Sequence, residues 1–115
     1  MEKIVKETLI SLQEYLPRLI NGCSQVVDNL KEGDEGSGLR KMPSIVEGMQ
    51  WVFEAVSGIQ NNGFLHNIYL HSLKEHFKEV VKALEIGDYV LLADVLNYEI
   101  LPVLEEWLEI AEELA

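Results

Sequence analysis

The sequence predicts an all-α protein folded as an antiparallel, up-down-up-down four-helix bundle. Three observations support this prediction: an apolar heptad through the first thirty residues, two further heptads along the chain, and a long apolar segment at the C-terminal end. A heptad places its members on one stripe of an α-helix, and such a stripe needs a covering surface. Four stripes in one chain can cover one another, which is the arrangement of a helix bundle.

The first helix is predicted over about 2–32. Pro17 lies on its outer face and lacks the amide hydrogen of a helical residue, which costs about 3 kcal/mol. Because the apolar stripe keeps its phase on both sides of Pro17, we predict a kink inside one helix; two separate helices are the alternative. The stripe consists of Val5, Leu9, Leu12, Leu16, Leu19, Cys23, Val26 and Leu30.

A flexible loop is predicted at about 33–43, where three glycines and mixed charges interrupt the apolar pattern. The glycines match neither a Walker loop nor a dinucleotide-binding fingerprint, which argues against phosphate binding. Ser44 and Glu47 have the spacing of a capping box, so the second helix is predicted over about 44–60. Its apolar stripe consists of Ile45, Met49, Val52, Val56 and Ile59.

The third helix is predicted over about 64–86, after a turn at Asn61-Asn62-Gly63. Gly87 has the conformational freedom of a left-handed C-cap and Asp88 is a good N-cap, so an almost loop-free turn should follow. The fourth helix is predicted over about 88–115 with a kink at Pro102. At this length the whole chain is predicted to form a single domain.

The charge balance excludes two classes of partner. Twenty acidic and nine basic residues give a formal net charge of −11, which repels phosphate backbones and anionic lipid surfaces. We therefore expect neither nucleic acid nor membrane as a partner. The lone Cys23 within the apolar stripe, and an N-terminus whose charges do not fit a signal peptide, predict a cytoplasmic location.

The unequal lengths of the predicted helices indicate a candidate partner surface. At 1.5 Å per residue, helices one and four are roughly 46 and 42 Å long, whereas helix two is roughly 26 Å long. We expect an under-covered apolar end that binds a protein partner or a second copy in a homodimer; covering by the kinked helices themselves is the alternative. This candidate partner surface consists of Ile4, Val5, Leu9, Trp107, Ile110, Ala111 and Leu114.

Polar residues interrupt the apolar fourth helix and form a candidate polar cluster, namely Asp94, Asn97, Tyr98 and Glu99. A straight helix would turn Asp94 and Asn97 partly inward, where they would need polar partners. A structural polar cluster and a ligand-binding or acid–base site are both compatible with this pattern. The sequence offers no nucleophile in a recognisable arrangement, so no catalytic residue is predicted.

The three histidines do not predict a metal site. His66, His71 and His76 are spaced by five residues, which rotates each by about 140° from the last on a helix. His71 with Glu75 and His76 with Glu79 have spacings compatible with ligation, but the Glu-x-x-His pairs of carboxylate di-metal bundles are absent. We expect ordinary surface pairs here, and neither a metal nor a cofactor.

The turn Leu84-Glu85-Ile86-Gly87-Asp88-Tyr89-Val90-Leu91-Leu92 lies between two amphipathic segments. It resembles the hairpin junctions of small helical adaptors, including bacterial flagellar export chaperones. The whole chain resembles small uncharacterised all-helical bundle proteins of Gram-positive bacteria. We therefore predict a non-catalytic protein-interaction module, adaptor or chaperone-like, that uses an apolar helical surface. The alternative is a small ligand-binding protein or enzyme with its site at the candidate polar cluster.

Overall fold

The computed structural model describes residues 1–114, which fold into four helices with no strand among them. Helix α1 spans Lys3–Lys31, α2 spans Glu35–Asn61 and α3 spans Leu70–Ile86. Helix α4 covers 89–114 in three consecutive parts, the α-helical Tyr89–Val95, a π-helical turn at Leu96–Ile100 and the α-helical Leu101–Leu114. The predicted all-α four-helix fold is confirmed.

The helices pack around one elongated core. Helix α1 packs along both α2 and α4, while α3 packs mainly on α4, and the molecule measures 46 × 22 × 19 Å. Long-range hydrogen bonds show that neighbours run antiparallel: Lys41 Nζ donates to Asn29 Oδ1 near the end of α1, and Gln13 Nε2 donates to the Ala111 carbonyl near its beginning. Of the predicted α1 stripe, only Leu30 is not fully buried.

Helix α1 continues without interruption through Pro17, so the alternative of two separate helices is wrong. Pro17 is exposed on the outer face. Water can therefore hydrate the Gln13 carbonyl that lacks an amide donor, while Leu16 and Leu19 stay buried on the inner face. The burial of the stripe on both sides of Pro17 outweighs the lost hydrogen bond.

The predicted loop at 33–43 is wrong, because α2 begins at Glu35 and only 32–34 connect it to α1. Asp34 caps the helix, its Oδ1 accepting a hydrogen bond from the Ser37 amide at 3.2 Å. Gly38 lies close against Leu30 and Met42 is buried. Tertiary packing thus outweighs the low helix propensity of the glycines. The predicted helix start at residue 44 is wrong for the same reason.

The connection between α2 and α3 is longer than predicted, because α3 begins at Leu70 and not at residue 64. Leu65 and Ile68 are buried, and Leu65 has a left-handed φ of 57°. Gln60 Nε2 donates to both of their carbonyl oxygens, at 2.9 and 2.8 Å. The segment therefore closes the end of the bundle instead of continuing the helix. The predicted α3–α4 turn is present, with Gly87 at φ 69° and Asp88 Oδ1 accepting from the Leu91 amide.

The π-helical turn in α4 changes which residues face the core. The Leu101 amide donates to the Leu96 carbonyl, five residues back, and the consecutive side chains of Ile100 and Leu101 are both buried. A π-helical turn contains one residue more than an α-helical turn, so it rotates the preceding segment of α4 relative to its position in a regular α-helix. It lies immediately before Pro102 and is one of the known causes of helix bending.

Cys23 provides a chemical test of this packing. Its side chain has no exposed area, and burial raises the pKa of the Cys23 thiol from 9.0 to about 12. Because the thiolate is the reactive form, we expect alkylation by iodoacetamide at pH 8 to be about a thousandfold slower in the folded protein than in urea. Mass spectrometry of timed samples measures both rates, and comparable rates would contradict the burial of Cys23.

Candidate functional site

The candidate partner surface is largely inside the bundle. Its buried members are Val5, Leu9, Trp107 and Ala111, its partly buried members are Ile110 and Leu114, and only Ile4 is strongly exposed. Leu9 and Leu114 border an open cavity of about 460 Å³ at the edge of α1 and α4.

The expected overhang does not exist, because α2 spans nearly the whole length of α1. Ile4 and Val5 share a cavity with Ile59 and Asn62, so the end of α2 lies beside the beginning of α1. The buried residues of the α2–α3 connection pack against the same core. The open surface was predicted at the wrong place because the second helix was expected to begin at residue 44. The helix in fact begins at Glu35 and is longer by about two turns.

The principal open surface lies instead between α1 and α2. Adjoining cavities that share lining residues form one continuous depression, which we call the α1/α2 groove; its largest section has a volume of about 530 Å³. It extends from Ile4, beside the end of α2, to Gln25 and Lys41 near the opposite end. Small residues form much of its lining, namely Thr8, Ser11, Gly22, Ser44, Gly48, Ala55 and Gly58.

Two aromatic side chains divide the α1/α2 groove. Tyr15 and Trp51 make an edge-to-face contact with ring centroids 5.4 Å apart, and the Trp51 side chain remains 38% exposed. Gly48 lies beneath them, and a Cβ at that position would force the Tyr15 hydroxyl to move. Desolvation, together with the nearby carboxylate of Glu47, raises the pKa of Tyr15. The hydroxyl therefore stays protonated and can donate a hydrogen bond in the groove.

The two halves of the α1/α2 groove carry opposite charge. Four glutamates line the half that contains Trp51, namely Glu7, Glu14, Glu47 and Glu54. Arg40 and Lys41 line the other half, and Arg18 lies between the two halves and lines both. A ligand that fills the whole groove would need basic groups towards the first half and acidic groups towards the second.

The candidate polar cluster does not form one site. Asp94 and Tyr98 are exposed, while Asn97 and Glu99 are partly buried. The expectation that Asp94 turns inward is wrong, because the π-helical turn rotates the segment before it relative to Leu101 and Leu104. Asp94 and Tyr98 therefore face solvent, and within residues 1–114 Glu99 alone among these four meets ionisable side chains of another helix.

Glu99 faces α3, where it meets His76 and Glu79. We call these three residues the His76 cluster. His76 Nδ1 lies 3.3 Å from Glu99 Oε2 and 3.9 Å from Glu79 Oε1. A hydrogen bond shared with Glu99, desolvation and the charge of Glu99 raise the pKa of Glu79, against the lowering effect of His76. Two carboxyl groups are thus held close enough to compete for one proton or one cation.

Sequence reasoning missed the main features of both sites. Trp51 lies beside the apolar stripe of α2, and a large aromatic residue outside the buried stripe was the available signal for the α1/α2 groove. The pair His76 and Glu79 was visible from its i,i+3 spacing. The approach of Glu99 was not, because it depends on how α4 packs against α3.

The fold and its open surface define a class of protein: an all-helical bundle with a long groove between two helices. None of the helices formed by residues 1–114 is long and apolar enough to cross a membrane. The chain belongs to the family described as Domain of unknown function (DUF8042), whose model matches residues 7–110. Searches of curated proteins and of solved structures found no significant match. The resemblance to flagellar export chaperones therefore stays a prediction.

Proposed function

We propose that the protein is a non-catalytic interaction module that binds a basic amphipathic helix of another protein in the α1/α2 groove. The observation that carries the proposal is the exposed indole of Trp51 in an open groove flanked by four glutamates. Exposed tryptophan is an energetically favourable anchor, since it buries a large apolar area at a binding interface.

The dimensions of the α1/α2 groove fit a helical ligand. From Ile4 to Gln25 it follows α1 for roughly 30 Å, at 1.5 Å per residue, which is the length of a helix of about twenty residues. Small side chains along the floor let a helix approach closely. An amphipathic helix would place its apolar face on Ile4, Tyr15 and Trp51, in the helix-in-groove mode of recognition.

Charge complementarity indicates the polar face of the ligand. The glutamates around Trp51 favour lysine or arginine at the ligand's rim, and the net charge of −11 attracts a basic partner at long range. Arg40 and Lys41 favour acidic residues at the ligand's other end. The groove therefore favours one orientation of the bound helix.

A second copy of this chain fits the α1/α2 groove less well. Two concave surfaces placed face to face leave the floor of each groove unfilled, whereas a helix supplies a convex partner. Sedimentation velocity at tens of micromolar tests this distinction. We expect the protein to be a monomer. A dimer that dissociates in the Trp51→Ala variant would instead show that a second copy of the chain occupies the groove.

The proposal is tested with a labelled amphipathic peptide carrying leucines on one face and lysines on the other. We expect its fluorescence anisotropy to rise when it is titrated with the protein. The double variant Glu47→Lys with Glu54→Lys should weaken binding by at least about tenfold, because two attractive rim charges become repulsive.

The matched control is Glu105→Lys with Glu109→Lys, which changes the net charge equally at exposed positions of α4. This control should bind the peptide nearly as the unaltered protein does, and circular dichroism should show all three proteins equally folded. Equal losses in the two double variants would mean that only net charge matters, and the α1/α2 groove would not be the binding site.

We also propose that the protein acts in the cytoplasm as an adaptor. A single cysteine, buried and without a disulfide partner, supports a reducing compartment. The resemblance of the turn between α3 and α4 to those of helical adaptors supports the adaptor role.

A further inference from the structure

The His76 cluster lies between α3 and α4, apart from the α1/α2 groove, and does not depend on the proposed function. One imidazole nitrogen and one oxygen from each carboxylate lie within 4.8 Å of one another. Two of these atoms, His76 Nδ1 and Glu99 Oε2, are buried, and neither has a hydrogen-bond partner within residues 1–114. They are 3.3 Å apart, but their geometry is not that of a hydrogen bond. Buried polar atoms of this kind are costly unless something binds them.

The donor atoms are those that a first-row transition metal prefers. Imidazole nitrogen is a good ligand for Zn²⁺ and a poor one for Mg²⁺ or Ca²⁺, and carboxylate oxygen completes many zinc sites. Two ligand atoms at roughly 2.0–2.2 Å from a tetrahedral zinc lie about 3.4 Å apart. The separation of 3.3 Å between His76 Nδ1 and Glu99 Oε2 matches this value, and Glu79 Oε1 is only slightly farther away, at 3.9 Å from the imidazole.

The backbone explains how the three ligands meet. His76 and Glu79 are one turn apart on α3, where an i,i+3 spacing places side chains on the same face. Glu99 lies within the π-helical turn Leu96–Ile100 of α4, and single π-helical turns often occur at functional sites. The side chains are 29%, 48% and 39% exposed for His76, Glu79 and Glu99, so an ion can reach them from solvent.

We propose that His76, Glu79 and Glu99 bind one Zn²⁺ ion, which joins α3 to α4 and leaves a coordination position open to water. The ion would pair with both buried atoms and neutralise two carboxylates that otherwise repel each other. Because the ligands come from two helices, binding would also oppose the separation of α3 from α4 on unfolding.

The test uses the full chain, stripped of metal with EDTA and titrated with zinc chloride in a calorimeter. We expect one equivalent to bind and the melting temperature to rise. His76→Gln and Glu99→Gln should each lower the affinity by at least about tenfold, since even residues that only orient metal ligands cost 10–100-fold. Glu79→Gln, at a more exposed position, keeps the test decisive if the other two variants fold poorly.

The matched control is the pair His71 and Glu75 on the same helix. His71 Nε2 lies 3.7 Å from Glu75 Oε1, and both side chains are exposed. Neither residue belongs to the group of candidate metal ligands that contains His76. His71→Gln with Glu75→Gln should leave zinc affinity unchanged. An equal loss in this control, or unchanged affinity in Glu99→Gln, would show that the ion binds an exposed histidine adventitiously and would overturn the proposal.

Discussion

Trp107→Ala is expected to lower the free energy of unfolding by about 3–5 kcal/mol, the usual cost of emptying a buried aromatic site. Trp107 is only 2% exposed and belongs to the core. For a protein of this size the loss corresponds to a fall in melting temperature of about 4 °C per kcal/mol. Urea unfolding followed by circular dichroism measures the change directly.

The control is Ile4→Ala, at the strongly exposed member of the candidate partner surface. Ile4 is 68% exposed, so its truncation should alter the free energy of unfolding by no more than about 0.5 kcal/mol. A near-neutral Trp107→Ala would mean that Trp107 lies on an open surface, as the predicted helix lengths implied. Because the total stability of a domain is about 5–15 kcal/mol, the two outcomes are easily distinguished.

Met42→Ala is expected to cost about 2–5 kcal/mol, because Met42 is a core residue of α2. A flexible loop at 33–43 would make the same substitution nearly neutral, so the measurement decides between the predicted loop and the helix. Denaturant unfolding supplies the free energy. Hydrogen exchange supplies a second observable, since the amides of residues 39–42 should be protected only in a helix.

Arg40→Ala is the matched control for Met42. Arg40 is exposed, and its guanidinium donates a hydrogen bond to Ser37 Oγ at 3.1 Å. Its removal should change the free energy of unfolding by about 0.5 kcal/mol or less. Equal, small effects of Met42→Ala and Arg40→Ala would contradict the burial of this part of α2.

Local patterns predicted the parts of the fold that local physics controls. The α1 stripe identified the core residues of that helix because a heptad repeat directly marks one helical face. Gly87 and Asp88 located the α3–α4 turn because a left-handed C-cap and an N-cap depend on the residues themselves. The predicted loop failed because its glycines have low helix propensity, which the burial of Met42 and the Asp34 cap outweigh.

The candidate sites depend on contacts between helices, which spacing alone does not reveal. The sequence singled out Glu99 as a polar residue in an apolar helix, but its neighbours His76 and Glu79 come from α3. Trp51 became a candidate anchor only once α1 and α2 were seen to run side by side with an open groove between them.

The sequence by itself therefore determined the all-helical fold, the four apolar stripes and the strongly acidic charge, because periodicity, caps and composition are properties of the chain. Only the tertiary structure decided where α2 begins, which face stays open and which polar side chains meet. The π-helical turn at Leu96–Ile100 illustrates the reason. One extra residue in that turn changes the directions in which Glu99 and Asp94 point. Whether a π-helical or an α-helical turn is the more stable there depends on how α4 packs against its neighbours.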